Sequence, residues 1–260
     1  MKMSEPIRYL TFLGTGTSNG VPVLGCNCEV CRSTDPRDKR LRTSALLETE
    51  NTRIIIDSGP DFRQQMLPQP FRKIDGLLIT HIHYDHVGGI DDVRPYCQLG
   101  DIDVYANADT CAGLRHNFPY CFAEHLYPGV PKLELHAIQP HSHFRIGDFD
   151  VVPINVMHGK LPIFAYRIGK LAYITDMKTI DEAEFPYLKG VETLIVNGLR
   201  WTREHHSHQL VSEAIEFSKK IGAKKTYLTH LTHQIGLYTN AQQRLPDGFF
   251  FAYDGLKIQF

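Results

Sequence analysis

Short apolar segments alternate with polar turns along the whole chain. In its first half these segments predict strands at residues 9–13, 43–49, 53–57, 76–80, 102–106 and 132–138. The second and third strands flank a turn at residues 50–52 and form a hairpin. Helices are predicted at residues 61–66 and 109–117.

The second half repeats this organisation. Strands are predicted at residues 149–156, 163–168, 171–175, 191–197, 225–229, 248–253 and 256–260. A helix is predicted at residues 209–221, where the apolar residues follow a helical period. Two series of strands with helices between them predict an α/β layered sandwich. Because the sequence contains no repeat or linker, we expect residues 1–260 to form a single domain.

Composition and charge limit the classes of partner and the cellular location that we expect for this chain. The chain has 260 residues, of which 42% are hydrophobic, and a formal net charge of -1. It is long enough for one large core, and it lacks the basic surface of a protein that binds nucleic acid stably. The first residues lack the apolar segment of a secretory signal, and no segment approaches the roughly 20 apolar residues of a membrane span. We therefore expect a cytoplasmic protein without a membrane partner.

Four side chains that bind metals follow the predicted strand 76–80. His81, His83, Asp85 and His86 lie within six residues, and imidazole and carboxylate are donors preferred by zinc, manganese and iron. One ion cannot comfortably use all four donors from so short a segment. We therefore expect His81 and His83 on one ion, with Asp85 and His86 on a second. Gly88 and Gly89 would let the backbone turn tightly beneath the ions.

Three of the six cysteines are crowded together. Cys26, Cys28 and Cys31 form a Cys-x-Cys-x-x-Cys motif, which suits a metal better than a disulfide framework in a reducing compartment. Three thiolates are one ligand short of a closed zinc site. A redox-active cysteine pair is the alternative.

The chain resembles the metallo-β-lactamase superfamily, which has an αββα four-layer sandwich fold. Within it, the chain resembles the PhnP-like phosphodiesterases, which include phosphoribosyl cyclic phosphate phosphodiesterases, and more distantly the tRNA 3′-processing endonucleases. The resemblance rests on four segments, LGTGTSNGVPVLGCNCEVC, IDSGPDFRQQ, ITHIHYDHVGGIDDVRPY and THLTH. They extend from residue 10 to residue 233.

This resemblance implies three further ligands. His158 would complete the first metal site with His81 and His83, and His230 would complete the second. Asp176 would bridge both ions. Two neighbouring cations lower the pKa of a water between them, so a hydroxide becomes available near neutral pH for attack at phosphorus.

The resemblance also implies roles outside the metal ligands. His208 matches the general-acid histidine of PhnP-like enzymes, although His205 and His206 compete for this role; Asp85 is counted with His208 as catalytic. His233 would be the fourth ligand of a structural zinc with the three cysteines. Asp57 would contact the ligand histidines on the side away from the metals and so fix their tautomers.

Three more residues have alternative interpretations. Asp61 either contacts the ligand histidines, as expected for Asp57, or caps the N-terminus of a helix. Arg63 and Arg94 either grip a phosphate or form ordinary ion pairs.

The predicted function is hydrolysis of a small, cyclic or linear phosphodiester, with two divalent ions (zinc or manganese) in the active site. The alternatives are a tRNA 3′-processing nuclease, a thioester or lactam hydrolase, and a non-catalytic metal-binding module. The sequence allows a homodimer. The metal ligands do not fix the substrate, because specificity in such folds lies in the loops.

Overall fold

The structure, a computed structural model, describes residues 6–123, 125 and 127–260. The first five residues of the predicted domain lie outside the described part. The strands are β1 (Tyr9–Gly14), β2 (Ser44–Glu48), β3 (Arg53–Ile56), β4 (Gly76–Leu78), β5 (Ile102–Ala106), β6 (Leu133–Ala137), β7 (Phe144–Ile146), β8 (Phe149–His158), β9 (Leu161–Ile168), β10 (Leu171–Ile174), β11 (Thr193–Asn197), β12 (Lys225–Thr229), β13 (Phe249–Phe251) and β14 (Lys257–Gln259). The α-helices are α1 (Glu29–Arg32), α2 (Phe62–Met66), α3 (Tyr84–Val87), α4 (Ala108–Asn117), α5 (Phe185–Leu188), α6 (Val211–Ile221) and α7 (Tyr238–Gln242).

The strands form two sheets of seven. The first has the order β14-β1-β2-β3-β4-β5-β6, and the second has the order β13-β12-β11-β10-β9-β8-β7. Strands β3 to β6 run parallel in the first sheet, as do β10 to β13 in the second. The carboxyl ends of neighbouring parallel strands lie at one edge of their sheet, which is where open α/β sheets bind ligands.

Three apolar clusters define the layers. One lies between the sheets and contains Phe12, Phe164 and Tyr166. A second packs α6 and α7 on the outer face of the second sheet, and a third packs α2 and α4 on the outer face of the first. Both sheets are thus covered on both faces, which explains why β2 and β3 are buried throughout. The fold is the predicted αββα sandwich.

Helix α6 shows how local sequence sets an element's ends. The Glu213 carboxylate accepts a hydrogen bond from the Leu210 N–H (2.7 Å) and so satisfies one free donor at the start of the helix. The helix stops at Gly222, whose φ of 76° is left-handed. This helix begins two residues later than the apolar pattern predicts.

Several short elements were not predicted, among them helices α1, α5 and α7. Strand β7, only three residues long, and the 3₁₀ helix at residues 90–99, which contains Pro95, were not predicted either. Another difference concerns the His/Asp motif, which we expected in a loop; Asp85 and His86 instead lie in the single turn of α3. Within the described residues, no helix combines the length and the apolar character needed to cross a bilayer.

Candidate metal centre

Strand ends bring the predicted ligands together from distant parts of the chain. Asp57 follows β3, and His81 follows β4 across two residues. On the second sheet His158 ends β8, Asp176 follows β10, and His230 follows β12. The facing edges of the two sheets therefore aim these side chains at one place.

Three of these strand ends have an unusual backbone. Asp57, Asp176 and His230 have φ values of 62°, 58° and 54°. A left-handed conformation costs a residue with a side chain roughly 1–2 kcal/mol. Such outliers cluster at functional sites, where the surrounding structure holds them in place. All three are predicted site residues.

The ligating atoms include two groups of three, within 4.8 Å of one another in each group: His81, His83 and His158 in one, and Asp85, His86 and His230 in the other. A further group of the same kind joins His81, His86 and Asp176 across these two. Asp176 lies against both histidines of the second group. One of its carboxylate oxygens is 3.1 Å from His230 Nε2, and the other is 3.3 Å from His86 Nε2. Asp176 also joins a group with His158 and His208. The grouping is the one expected for two neighbouring ions with Asp176 between them.

Hydrogen bonds behind the ligands fix which histidine nitrogen faces the centre. His158 Nδ1 lies 2.8 Å from the Asp176 carbonyl and 2.9 Å from that of Ser207, so it must carry the proton and donate it. His86 Nδ1 lies 2.7 Å from the Asp57 carboxylate. In both rings Nε2 is therefore the nitrogen that faces the centre, and its lone pair is the one that a cation would take.

His81 is oriented through a relay. Its Nδ1 lies 3.0 Å from Thr80 Oγ1, which in turn donates to Asp57 at 2.8 Å. Because the hydroxyl proton is used on Asp57, His81 Nδ1 donates and Nε2 is free. His81 Nε2 and His83 Nδ1 are 3.0 Å apart, so these two nitrogens face the same point. Asp57 thus supports His86 directly and His81 indirectly.

The buried carboxylates give the centre a negative field. Burial works against the charged form of His86, but Asp176, Asp57 and Asp85 raise its pKa well above the ordinary value. Burial likewise opposes ionisation of Asp176, yet His230 and His86 hold its pKa well below the usual range. A proton on His86 thus partly balances three carboxylates that divalent cations would balance more fully.

Several buried nitrogens in this centre make no hydrogen bond of suitable geometry, although Asp176 lies within 3.3 Å of two of them. They are His86 Nε2, His208 Nδ1 and both ring nitrogens of His230. A buried polar atom without a partner costs free energy, and a cation among the carboxylates would remove that cost for ring nitrogens that face it. The donor set therefore fits two divalent ions by its chemistry and its grouping.

The three competing histidines differ in their surroundings. The His208 ring lies 4.6 Å from His158 and 4.8 Å from His230, between centroids. Burial, together with the charge of His230, lowers the pKa of His208 to about 2. His205 is half-buried and stacks on exposed His206, 4.5 Å away. His208 is the one of the three in the group with His158 and Asp176.

Close backbone contacts hold α3 in position. A Cβ on Gly59 would collide with the Asp85 carbonyl oxygen, and one on Gly89 would collide with the Gly59 carbonyl oxygen. Gly88 and Gly89 have negative φ values. The expected role of this glycine pair in a tight turn is therefore corrected to close packing, which leaves no room for a side chain.

The cysteine motif forms a second cluster, with His233. The Sγ atoms of Cys26, Cys28 and Cys31 lie 3.3, 3.4 and 3.2 Å from His233 Nδ1. Zinc–sulfur and zinc–nitrogen bonds of about 2.3 and 2.0 Å at tetrahedral angles separate sulfur from nitrogen by about 3.5 Å. The cluster therefore has nearly the dimensions of a tetrahedral zinc site.

Two of the other candidates have ordinary ion pairs. Asp61 precedes α2 but makes no capping hydrogen bond; its carboxylate accepts from the Arg42 N–H (2.8 Å) and guanidinium (2.9 Å). The capping interpretation of Asp61 is wrong, because Arg42 takes both oxygens. Arg94 pairs with Asp91 at 2.6 Å. Arg63 is exposed and lines a groove with Phe62.

Known proteins share this arrangement of sheets. The family model described as "Beta-lactamase superfamily domain" matches residues 52–231, more than half of the chain. The chain belongs to the metallo-β-lactamase superfamily. A crystal structure of "a New Diphosphatase from the PhnP Family" is 37% identical, with a TM-score of 0.90, and the match covers 98% of this chain and 97% of that one. Within the metallo-β-lactamase superfamily the chain is thus PhnP-like.

Two curated relatives match over shorter shares of their own length. An octanoyltransferase of Porphyromonas gingivalis is 44% identical over 246 residues, covering 94% of this chain and 50% of that protein. A ribonuclease Z of Thermosynechococcus vestitus is 28% identical over 166 residues, covering 61% of this chain and 36% of that protein. The chain thus spans half or less of each. Together, the metallo-β-lactamase fold and the PhnP-family and ribonuclease relatives support a metal-dependent hydrolase.

Apart from Asp57, the sequence did not reveal the groups that orient the ligands. Thr80 stands directly before His81, and its position at a strand end was the only signal of its role. The Ser207 carbonyl that accepts from His158 gave no signal, since any residue supplies a carbonyl. A cleft lined by His158, Lys160, Lys178 and His206 depends on two loops that only the fold brings together.

Proposed function

We propose that this chain is a binuclear metal-dependent phosphodiesterase that hydrolyses a small, cyclic or linear phosphodiester. The observation that carries the proposal is the presence of two groups of three ligands, together with the Asp176 carboxylate, which lies against His86 and His230 of the second group and also clusters with His81 and with His158 of the first. The PhnP-family relative, which matches over nearly its whole length, is described as a diphosphatase. Phosphorus–oxygen cleavage is therefore the chemistry that we assign to this centre.

Two divalent cations, zinc or manganese, would lower the pKa of a water between them and offset the charge on the phosphate oxygens. His81, His83 and His158 would hold the first ion; Asp85, His86 and His230 would hold the second, and Asp176 would contact both. Asp57 and Thr80 keep His86 and His81 in the correct tautomer. These buried hydrogen bonds restrict the ligands to one geometry before the substrate arrives.

We assign His208 as the general acid that protonates the leaving oxygen. Its ring lies beside His158 and His230, at the margin of the predicted ligand set. Its lowered pKa leaves it neutral in the free protein. This lowered pKa opposes the role, whereas a phosphodiester anion bound next to the ring acts in the opposite direction and favours the protonated form.

We assign a structural zinc to Cys26, Cys28, Cys31 and His233. His233 and the proposed ligand His230 lie on one loop, and the Leu231 N–H between them donates to the Thr15 carbonyl at 2.8 Å. A zinc there would join this loop to the cysteine loop. The site would thereby steady His230 without entering the reaction, and three thiols kept as ligands suit the proposed cytoplasmic location.

Total metal content, measured together with turnover of bis-p-nitrophenyl phosphate, tests the assignment. About three ions per chain with turnover is the expected result. One ion per chain without turnover would identify a non-catalytic metal-binding module. A screen of cyclic and linear phosphodiesters with the zinc-loaded and manganese-loaded protein would then identify the substrate class.

A tRNA 3′-processing nuclease is a second candidate, favoured by the similarity to ribonuclease Z over part of the chain. The near-neutral charge opposes it. Salt-sensitive tight binding of precursor tRNA in a gel shift at low salt would favour this candidate. We propose instead that the chain has no stable nucleic-acid partner; whether it forms the homodimer that the sequence allows can be measured by sedimentation.

A thioester hydrolase is a third candidate, because the Porphyromonas gingivalis relative is named for acyl transfer. That protein is twice as long as the region matched, so its name need not describe this half. An octanoyl thioester in the substrate screen tests the point directly. Faster metal-dependent cleavage of the thioester than of every phosphodiester would replace our proposal.

A further inference from the structure

His230 differs from the other buried histidines that we propose as metal ligands. In His81, His86 and His158, Nδ1 lies within hydrogen-bond distance of an oxygen atom that orients the ring. Nδ1 of His230 is buried and makes no hydrogen bond to any described residue. Its ring stacks on those of His86 and His208, at centroid distances of 5.9 and 4.8 Å. Because stacked rings can slide past one another, the direction of the His230 side chain depends on its backbone.

That backbone is joined to the segment formed by residues 15–17. Leu231, directly after His230, donates from its N–H to the Thr15 carbonyl (2.8 Å) and accepts from the Thr17 N–H (3.3 Å). The two segments thus pair as parallel strands do. His230 has a φ of 54°, which a residue with a side chain keeps only when its surroundings hold it there. The pairing with residues 15–17 supplies that restraint.

A buried network of charged and polar groups holds this segment in turn. The Thr15 hydroxyl donates to the Asp254 carboxylate and accepts from the Arg40 guanidinium, both at 2.7 Å. The guanidinium also donates to the Ala252 carbonyl (2.6 Å), and the second Asp254 oxygen accepts from the Leu41 N–H (2.6 Å). Thr15 is fully buried and Arg40 is only 3% exposed. We call this set of contacts the Arg40–Thr15–Asp254 network.

The network lies in close contact with the segment that it holds. A Cβ on Gly16 would lie 3.0 Å from both the Cβ and the carbonyl oxygen of Arg40, so the two backbones touch. Burial lowers the pKa of Arg40 to about 10 and raises the pKa of Asp254 to about 6, so it opposes both charges. Buried charges add little stability over apolar side chains, but once hydrogen-bonded they admit one arrangement. The network is therefore suited to fixing a geometry.

We propose that the Arg40–Thr15–Asp254 network positions His230 for the second metal ion. This inference rests on the proposed function, because that function makes His230 a metal ligand. Arg40 and Asp254 are positioning residues, since their hydrogen bonds go to Thr15 and to the backbone rather than to a proposed ligand. They act on the centre through Thr15 and Leu231, and the proposed structural zinc holds the same loop further along the chain.

Removal of the Thr15 hydroxyl tests the proposal. In Thr15→Val the side chain keeps its shape but loses both hydrogen bonds to the network. We expect the affinity for one active-site zinc to fall by roughly 10- to 100-fold, the effect of losing a group that orients a ligand. The other active-site zinc and the cysteine-site zinc should bind as in the wild-type protein. A competition titration with a fluorescent zinc chelator measures these affinities.

Thr15→Ser keeps the hydroxyl and should restore the wild-type affinity. A serine variant that binds zinc as weakly as the valine variant would show that the hydroxyl does not position His230.

A second valine variant separates positioning from a general loss of stability. Thr49 is likewise buried, and its hydroxyl donates to Asp148 at 2.6 Å, in the turn that precedes β3, whereas Asp57 lies at the other end of that strand. Thr49→Val therefore removes a threonine–aspartate hydrogen bond away from the metal centre. Both valine variants should lower Tm by similar amounts, on the order of 5 °C, but only Thr15→Val should weaken a zinc. Equal metal affinities in the two variants would overturn the proposal.

Cadmium NMR of the cadmium-loaded protein identifies which ion is affected. Each bound ion gives its own resonance, and His230→Ala identifies the resonance of the second ion by its loss. Thr15→Val should shift or broaden that resonance more than the others. A larger change at the first ion or at the cysteine site would contradict positioning through His230.

Metal binding and turnover together distinguish failure of the positioning role from failure of the proposed function. If Thr15→Val weakens the second ion but the wild-type protein does not cleave bis-p-nitrophenyl phosphate, the positioning role stands and the proposed reaction is wrong. If the wild-type protein cleaves the diester and Thr15→Val binds both ions normally, the reaction stands and the positioning role is wrong. A wild-type protein that binds no second active-site ion would overturn both.

Discussion

The histidine–aspartate centre and the cysteine cluster each take one histidine from the same loop. His230 belongs to the histidine–aspartate centre and His233 to the cysteine cluster, yet the two sites are assembled differently. The metal centre collects its side chains from the ends of strands in both sheets, and its core residues are buried. The cysteine cluster takes three side chains from six consecutive residues, and Cys28 is exposed. One site depends on the whole fold, whereas the other needs only two loops.

The two sites also differ in the support behind their ligands. In the metal centre, Asp57, Thr80 and two backbone carbonyls decide which nitrogen of His81, His86 and His158 is free. In the cysteine cluster, the contacts are mainly between the ligands themselves and nearby backbone N–H groups. This difference suggests that the first site is built for a defined geometry and the second for attachment. Substitutions in the two sites should therefore fail in different ways.

The largest effect should follow from Asp176→Asn. An amide cannot neutralise two cations, so we expect bis-p-nitrophenyl phosphate turnover to fall on the order of 10⁴-fold, with loss of at least one ion per chain. Turnover and metal content by mass spectrometry measure this. Asp150→Asn, an exposed position on β8, is the control. Wild-type turnover with a full metal content in Asp176→Asn would remove Asp176 from the centre.

His208→Ala should lower kcat by roughly 10²–10⁴-fold, the usual effect of losing a general acid. The metal content should stay unchanged, because His208 is not assigned as a ligand. His205→Ala, in the same loop, should change kcat by less than about threefold. If His205→Ala shows the large loss and His208→Ala does not, the role of general acid belongs to His205.

Asp57→Asn should weaken metal binding by roughly 10- to 100-fold, since it removes the carboxylate behind His86. A competition titration with a fluorescent zinc chelator measures this. Asp61→Asn is a matched control on the same loop, because Asp61 contacts Arg42 and no proposed ligand. Equal metal affinity in the two variants would show that the Asp57–His86 hydrogen bond does not tune the centre.

The smallest effect on turnover should come from Cys28→Ser. We expect one zinc fewer per chain, a Tm lower by about 5–10 °C, corresponding to roughly 2–3 kcal/mol, and a loss of turnover of only a few fold. Cys97→Ser, at a half-buried thiol outside the cluster, controls for loss of a cysteine. A loss of turnover as large as that in Asp176→Asn would contradict the division between the two sites.

The sequence predicted most strands of this fold, because they are short apolar runs between polar turns, but it missed the short helices α1, α5 and α7. Strands β5 and β12 begin and end where the pattern places them. The three-residue strand β7 was missed, since its single buried residue, Ile146, gives no pattern to detect. The sheet order could not be predicted from the pattern, because pairing between β1 and β14 joins the two ends of the described chain.

In the candidate sites, too, local features could be predicted from the sequence and features that depend on the fold could not. The His81–His86 motif and the cysteine motif are local, so spacing alone indicated their chemistry. His158, Asp176 and His230 were found only through the family resemblance, because each is a single polar residue after a strand. Arg40 was not considered at all, since its link to His230 runs through Thr15 and Leu231, which only the fold brings together. Those roles depend on tertiary contacts that a residue pattern does not contain.

The left-handed backbone at Asp57, Asp176 and His230 has a consequence for engineering. Glycine adopts such angles with little penalty, so an exchange to glycine would remove the backbone strain at each position, although at Asp57 and Asp176 it would also leave buried hydrogen-bond partners unsatisfied. Each exchange would relax the chain and remove a side chain from the metal centre. A thermostability library should keep these three codons fixed. A variant with glycine at one of them would indicate that the selection no longer required catalysis.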